Sequence, residues 1–192
     1  MYRSNTMTVS KATTITIGSM VALLLIGAIT IVLLQNQQAK RELAESPAAG
    51  ALATGGAAAP YTDFAGNPAN LDQYVGQVLI VNSWASWSPS SAAELKRLAE
   101  VAQSYAEQGV VVIAINRAEA KDTAEAYLQS IGVADQVRLI VDNDDRYYTS
   151  IGGYTMPETV FYDQNGSIVA HKRGELTGSE VASFIEEALM QE

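Results

Sequence analysis

Trp84-Ala85-Ser86-Trp87-Ser88-Pro89-Ser90-Ser91 follows the apolar run Val78-Leu79-Ile80-Val81 and precedes an amphipathic run from Ala92 to about Gln108. The first run reads as a buried strand and the second as a helix, so the stretch between them is a strand-to-helix turn. Such turns place side chains and free backbone N–H groups at the carboxyl edge of a sheet, where α/β proteins put their chemistry. What stands in this turn decides the function.

The flanking sequence supplies the rest of the sheet. Tyr61-Thr62-Asp63-Phe64 and Ala69-Asn70-Leu71 read as a short hairpin turning at Gly66. Gln77 to Trp84 is the first central strand, and the helix after the turn buries Ala92, Leu95, Leu98, Ala99, Ala102 and Tyr105 before Gly109 caps it. Val110 to Ile115 is a continuous apolar run, as expected of a strand covered on both faces. A second helix spans about Thr123 to Ile131, with Asp122 and Glu125 as its capping box. Arg138 to Val141 is a third strand, and the acidic run Asp142 to Asp145 lacks the glycine and distal glutamate of a calcium loop, so it reads as a helix cap. Thr159 to Tyr162 and Ser167 to Ala170 form a hairpin through Asn165-Gly166, and Thr177 with Glu180 opens a final helix carrying Val181, Phe184, Ile185, Ala188 and Leu189. Right-handed crossovers then place the first three main strands side by side and parallel, with helices on both faces and the closing hairpin as antiparallel edge strands.

Residues 12 to 34 carry no charge, and as a helix these 23 residues span about 34 Å, against a hydrocarbon core of about 30 Å. That is too long for the apolar region of a cleaved signal peptide, so one uncleaved transmembrane anchor is expected after an N-terminal tail, residues 1–11. Arg3 and Lys11 before the span balance Lys40 and Arg41 after it, so the positive-inside count is a tie. Residues 35–60 form an Ala/Gly-rich linker, whose last 15 residues, 46–60, have a coil reach of roughly 20 Å. The folded domain occupies residues 61–192.

Composition narrows the chemistry. From Tyr61 onward there are 8 Lys+Arg against 19 Asp+Glu, so nothing electrostatic draws the domain to nucleic acid. The chain has no cysteine and one histidine, which removes thiol catalysis, disulfides and thiolate metal sites from its repertoire. No metal and no cofactor are expected.

The turn itself resembles a known family. Val81-Asn82-Ser83-Trp84-Ala85-Ser86-Trp87-Ser88-Pro89-Ser90-Ser91 is similar to the V-N-F-W-A-x-W-C-x-x-C hallmark of membrane-anchored, thioredoxin-like thiol–disulfide oxidoreductases of the TlpA/ResA kind, with serine at both cysteine positions. Tyr154-Thr155-Met156-Pro157-Glu158-Thr159-Val160-Phe161 resembles the family's cis-proline segment. The resemblance covers about Tyr61 to Met190. It implies a thioredoxin-like three-layer α/β/α fold with a central mixed sheet, preceded by one transmembrane helix, and a cis Met156–Pro157 bond. It also implies an extracytoplasmic domain whose peptide-binding groove is lined by Trp87, Ser88, Pro89, Met156 and Pro157. An extended polypeptide and, through the anchor, the membrane are the partners it implies.

The two serines alter the chemistry. A cysteine at a helix N-terminus is a stabilised thiolate that attacks a disulfide sulfur, and a serine hydroxyl cannot form or resolve a disulfide. Ser88 followed by Pro89 suits an N-cap with proline at the first helical position, and Ser91 with Glu94 has capping-box spacing. A serine nucleophile needs an adjacent base. His171 is expected on the surface at the far end of the hairpin, and Lys96 lies on the wrong turn of the helix. Trp84 is expected to pack the turn, whereas Trp87 suits either packing or the groove. Two functions stay open: a membrane-tethered, redox-inactive binding or scaffold module, and an oxidoreductase whose cysteines were substituted, by design or in this lineage.

Overall fold

The computed structural model describes residues 61–191 together with Gly27, Thr30 and Ile31. The expected tail, anchor and linker therefore lie outside the described residues, apart from those three positions, which are helical. Among the described residues no helix is long and apolar enough to cross a membrane.

Seven strands form one mixed sheet: β1 (Tyr61–Asp63), β2 (Pro68–Ala69), β3 (Val78–Trp84), β4 (Val110–Arg117), β5 (Arg138–Asp142), β6 (Glu158–Tyr162) and β7 (Ile168–Arg173). Their spatial order is β2-β1-β5-β4-β3-β6-β7. β3, β4 and β5 are parallel neighbours, in register at Val78 with Val110 and at Ile113 with Arg138. The closing hairpin adds β6 antiparallel to β3, with Ile80 opposite Phe161, and β7 antiparallel to β6.

Four helices accompany the sheet: α1 (Ser91–Ser104), α2 (Lys121–Ile131), α3 (Arg146–Ser150) and α4 (Gly178–Leu189). Side chains alternate across a strand, so Val78, Ile80 and Trp84 face one layer while Leu79 and Val81 face the other. The first layer packs Leu98 of α1 and Val181, Ile185 and Ala188 of α4 against Val78 and Ile80, and Leu128 of α2 near Trp84. The steps from β3 to β4 and from β4 to β5 run in the same direction, so right-handed crossovers put α1 and α2 on one face. The opposite face is covered by the 3-10 turn Leu71–Tyr74 and by Tyr147 and Ile151 at α3. Helices thus stand on both faces, as the pattern predicts.

Several helix starts differ from the expected caps. The N-cap of α1 is Ser90, without a side-chain bond, rather than Ser88. Ser91 and Glu94 form no capping box: the Ser91 hydroxyl has no partner and the Glu94 carboxylate turns into the core. α2 starts at Lys121 behind Ala120, so Asp122 lies inside the helix and caps nothing. Backbone geometry leaving β4, with Ala118 at φ 51°, sets that start instead. The Thr177–Glu180 capping box of α4 is present in full. The Asp142 carboxylate accepts the N–H groups of Arg146 at 2.9 Å and Tyr147 at 2.8 Å, which is the capping role read for the acidic run. α1 ends before Tyr105, four residues ahead of Gly109, which closes a following 3-10 turn at φ 74°.

Candidate functional site: the strand-to-helix turn and the cis-proline loop

The turn leaves β3 at the buried Trp84, whose ring stacks on Tyr127 of α2 with centroids 5.7 Å apart. That stacking fixes the start of the turn. Its next residue but one is gripped by Glu119, just beyond β4: the carboxylate accepts the Ser86 N–H at 2.7 Å and the Ser86 hydroxyl at 2.5 Å. Asn116 Nδ2 donates to the same carboxylate at 2.8 Å. The chain then closes on itself through Ser88 N–H to Ala85 C=O and Ser91 N–H to Ser88 C=O, both at 3.2 Å.

Across from the turn lies the loop before β6, with a cis Met156–Pro157 bond as the resemblance implies. The two walls touch through one hydrogen bond, from Ser88 Oγ to the Met156 carbonyl at 3.1 Å. Trp87 is 62 % exposed and Tyr154 76 %, so each wall presents an aromatic ring to solvent, that of Tyr154 with the Arg173 guanidinium 5.0 Å from its centre. Pro89 is exposed, Met156 half-buried and Pro157 buried. Ser88, Met156 and Pro157 of the expected groove are thus brought together, with Trp87 and Pro89 beside them on the turn. Ser91 is fully buried beneath the turn.

Glu158 and Tyr148 bond the backbone ahead of the cis proline, and Arg117, Asp145 and Gly153 keep Tyr148 in place. Glu158 Oε1 accepts the N–H groups of Tyr154 and Thr155, each at 2.8 Å. The Tyr148 hydroxyl donates to the Thr155 carbonyl at 2.9 Å. Arg117 stacks 3.6 Å above the Tyr148 ring and pairs with Asp145 at 2.7 Å. Gly153 leaves room for that ring, since a Cβ there would fall 2.4 Å from Tyr148 Cε2.

His171 departs from its expected surface role. Its side chain is 4 % exposed, and Nε2 lies 2.7 Å from Glu158 Oε2. It folds inward because β7 pairs along β6 and the buried carboxylate offers it a partner. The ring is therefore engaged away from both serines. Ser88 Oγ donates to a carbonyl and Ser91 Oγ has no partner, so neither serine contacts a base among the described residues. A serine hydrolase is not assembled here.

Beneath the turn sits Glu94, fully buried. Its carboxylate accepts from Asn82 Nδ2 at 2.8 Å, Thr159 Oγ1 at 2.7 Å and Leu176 N–H at 2.7 Å. Burial pushes its pKa up, and the bonds from Thr159 and Leu176 pull the other way. Glu119, Tyr148 and Arg117 escaped the sequence reading, Glu158 entered it only within the quoted cis-proline segment, and Glu94 was read as a capping-box partner rather than as a buried acceptor. Only Glu94 carried a signal: it stands three and four residues from Ser91 and Leu98, on the buried stripe of α1. Among the described residues no group of three or more His, Asp or Glu could hold a metal ion.

This sheet order, with the turn facing a cis proline, defines a thioredoxin-like α/β protein. Solved structures share the fold. A putative thiol:disulfide interchange protein DsbE from Chlorobium tepidum matches with a TM-score of 0.62 at 21 % identity, over 69 % of this chain and 95 % of its own. A putative thioredoxin from Neisseria meningitidis matches with a TM-score of 0.63 at 20 % identity, over 77 % of this chain and 93 % of its own. The chain belongs to the AhpC/TSA family, whose model matches residues 56–171. It is also similar to the thiol-disulfide oxidoreductase ResA of Geobacillus thermodenitrificans, 25 % identical over 125 residues, which are 65 % of this chain and 71 % of that protein. The thiol:disulfide interchange protein DsbE of Allochromatium vinosum is 40 % identical over 102 residues, 53 % of this chain and 54 % of that protein. The chain is thus homologous to thiol–disulfide oxidoreductases and contains no cysteine.

Proposed function

We propose that this chain is a membrane-tethered, extracytoplasmic thioredoxin-like module that binds an extended polypeptide without redox chemistry. One observation carries the reading: the Ser88 hydroxyl faces the Met156 carbonyl at 3.1 Å, so both walls of the groove persist where the thiol does not. Thiol–disulfide exchange requires a thiolate to form a mixed disulfide, and this chain offers none. Binding requires only the walls, with exposed Trp87 and Tyr154 as apolar contacts. The uncharged span at residues 12–34 supports the tether, and the resemblance of the turn and the cis-proline segment to the TlpA/ResA kind supports the extracytoplasmic side.

The experiment is a disulfide-reductase assay beside a cysteine restoration. The chain as it stands reduces no protein disulfide under thiol-free conditions, and turnover there would refute redox inactivity. Ser88→Cys with Ser91→Cys tests the second reading, an oxidoreductase whose cysteines were substituted. The Ser91 N–H to Ser88 C=O turn bond draws these positions together, so the double variant forms an internal disulfide. A folded variant that forms none would show that the turn no longer has the geometry of a dithiol site.

A further inference from the structure

Glu158 follows the cis proline, opens β6 and is fully buried, and its two oxygens serve different partners. Oε1 takes the Tyr154 and Thr155 N–H groups, each at 2.8 Å. Oε2 faces β7, where His171 Nε2 lies at 2.7 Å and Arg173 Nε at 3.8 Å. Arg173 in turn lies 5.0 Å from the centre of the Tyr154 ring. From α3, Tyr147 and Tyr148 also feel the Glu158 charge. A carboxylate this deep is costly unless every oxygen is used, and here both are.

The loop's backbone shows what that arrangement leaves free. The Thr155 carbonyl is taken by Tyr148, the Met156 carbonyl accepts from Ser88, and the Pro157 carbonyl accepts the Gly174 N–H at 2.9 Å. With the N–H groups of 154 and 155 on Glu158, the Tyr154 carbonyl and the Met156 N–H have no partner among the described residues. An acceptor and a donor two residues apart are what an antiparallel strand engages around a non-hydrogen-bonded position, here Thr155.

We infer that Glu158, braced by His171, is the positioning residue of the groove: its ionised carboxylate fixes Tyr154 and Thr155 so that the Tyr154 carbonyl and Met156 N–H meet an extended peptide strand opposite Thr155. This rests on the peptide-binding reading above and supplies its register. Neutralising Glu158 removes a charge-assisted acceptor from two N–H groups and loosens the loop. Burial pushes the Glu158 pKa up, but the His171 bond and the two N–H groups outweigh it and hold it below the ordinary 4.5. For a depressed carboxylate, the contribution is present above the ordinary pKa and is lost as pH falls through the folded value.

The test uses the full chain, ¹⁵N-labelled in detergent micelles, titrated from about pH 7 to about pH 3. The probe is a synthetic peptide of alternating Thr and Val with one internal aromatic residue. Its affinity is read by Trp87 fluorescence, and the Tyr154 and Thr155 amides by their proton shifts. The expected result is one shared inflection below 4.5 in both amides and in affinity. Glu158→Gln keeps an acceptor oxygen, removes the inflection and binds about tenfold more weakly at neutral pH. An N-methyl group on the peptide nitrogen just after the residue opposite Thr155, the one whose N–H faces the Tyr154 carbonyl, also weakens binding in the wild type. Amides that do not titrate, or a folded Glu158→Gln chain with wild-type affinity and pH profile, would overturn the positioning role. A wild-type chain that binds no peptide at neutral pH refutes the binding reading itself, and titrating amides would then mark Glu158 as purely structural.

Discussion

Replacing Glu94 tests the packing on which the turn rests. The side chain is fully buried, accepts three hydrogen bonds and makes no salt bridge among the described residues. Glu94→Ala leaves the Thr159 hydroxyl and the Leu176 N–H without their acceptor, at about 1–3 kcal/mol each, takes one of the two acceptors of the Asn82 amide, which keeps Thr159 Oγ1 at 2.9 Å, and opens a cavity. Removing a desolvated carboxylate offsets part of this, so the net loss is about 3–5 kcal/mol. That is a large share of the 5–15 kcal/mol or so that holds a typical domain together, and lowers Tm by about 10 °C or more. Glu94→Gln keeps the shape. Asn82 Oδ1 has no partner, and with the Asn82 amide turned over it accepts the new N–H, so this variant loses only about 1 kcal/mol at neutral pH. The pH dependence has a definite sign. A raised folded pKa means that protonation favours the folded chain, so wild type gains stability relative to Glu94→Gln as pH falls through the folded value towards the ordinary 4.5. Urea unfolding followed by circular dichroism, at several values between about pH 8 and about pH 5, measures both effects. An Ala variant within about 1 kcal/mol of wild type, or a wild-type-to-Gln difference that ignores pH, would refute a buried, titrating Glu94.

Gly153→Ala drives a methyl to 2.4 Å from the Tyr148 ring, so Tyr148 must leave Arg117 and the Thr155 carbonyl; a loss of about 1–3 kcal/mol by urea unfolding is expected. Thr177→Ala removes the side-chain half of the α4 capping box and is expected to cost about 1 kcal/mol in the same assay. Protease added to intact spheroplasts is expected to release the domain by cutting within residues 46–60, whereas complete protection would place it on the cytoplasmic side.

The sheet was legible because its strands announce themselves. Val110 to Ile115 has no polar residue and sits at the centre, while Asn165-Gly166 marks the turn of the closing hairpin. The Thr177–Glu180 box was legible for a local reason: both partners lie within one turn of α4. Asp122 with Glu125 shows the same spacing and forms nothing, because the path out of β4 fixes where α2 begins. The walls of the site, Trp87, Ser88, Met156 and Pro157, came from motif resemblance. What holds those walls did not. Glu119 reaches Ser86 across 33 positions, Glu94 reaches Leu176 across 82, and His171 meets Glu158 only through the β6–β7 hairpin. A carboxylate that leaves its own helix to satisfy a distant backbone N–H looks, in sequence, like any solvated glutamate.

The central claim, recognition of polypeptide by a groove without a thiol, is tested most directly by Trp87 itself. The chain has two tryptophans, and Trp84 is fully buried against Tyr127, so the solvent-sensitive emission belongs to Trp87. Titrating the full chain with an unstructured, cysteine-free peptide is predicted to shift that emission saturably to the blue, and Trp87→Phe to abolish the response. No saturable shift up to high micromolar peptide would contradict the account and leave the domain without a binding function at this site.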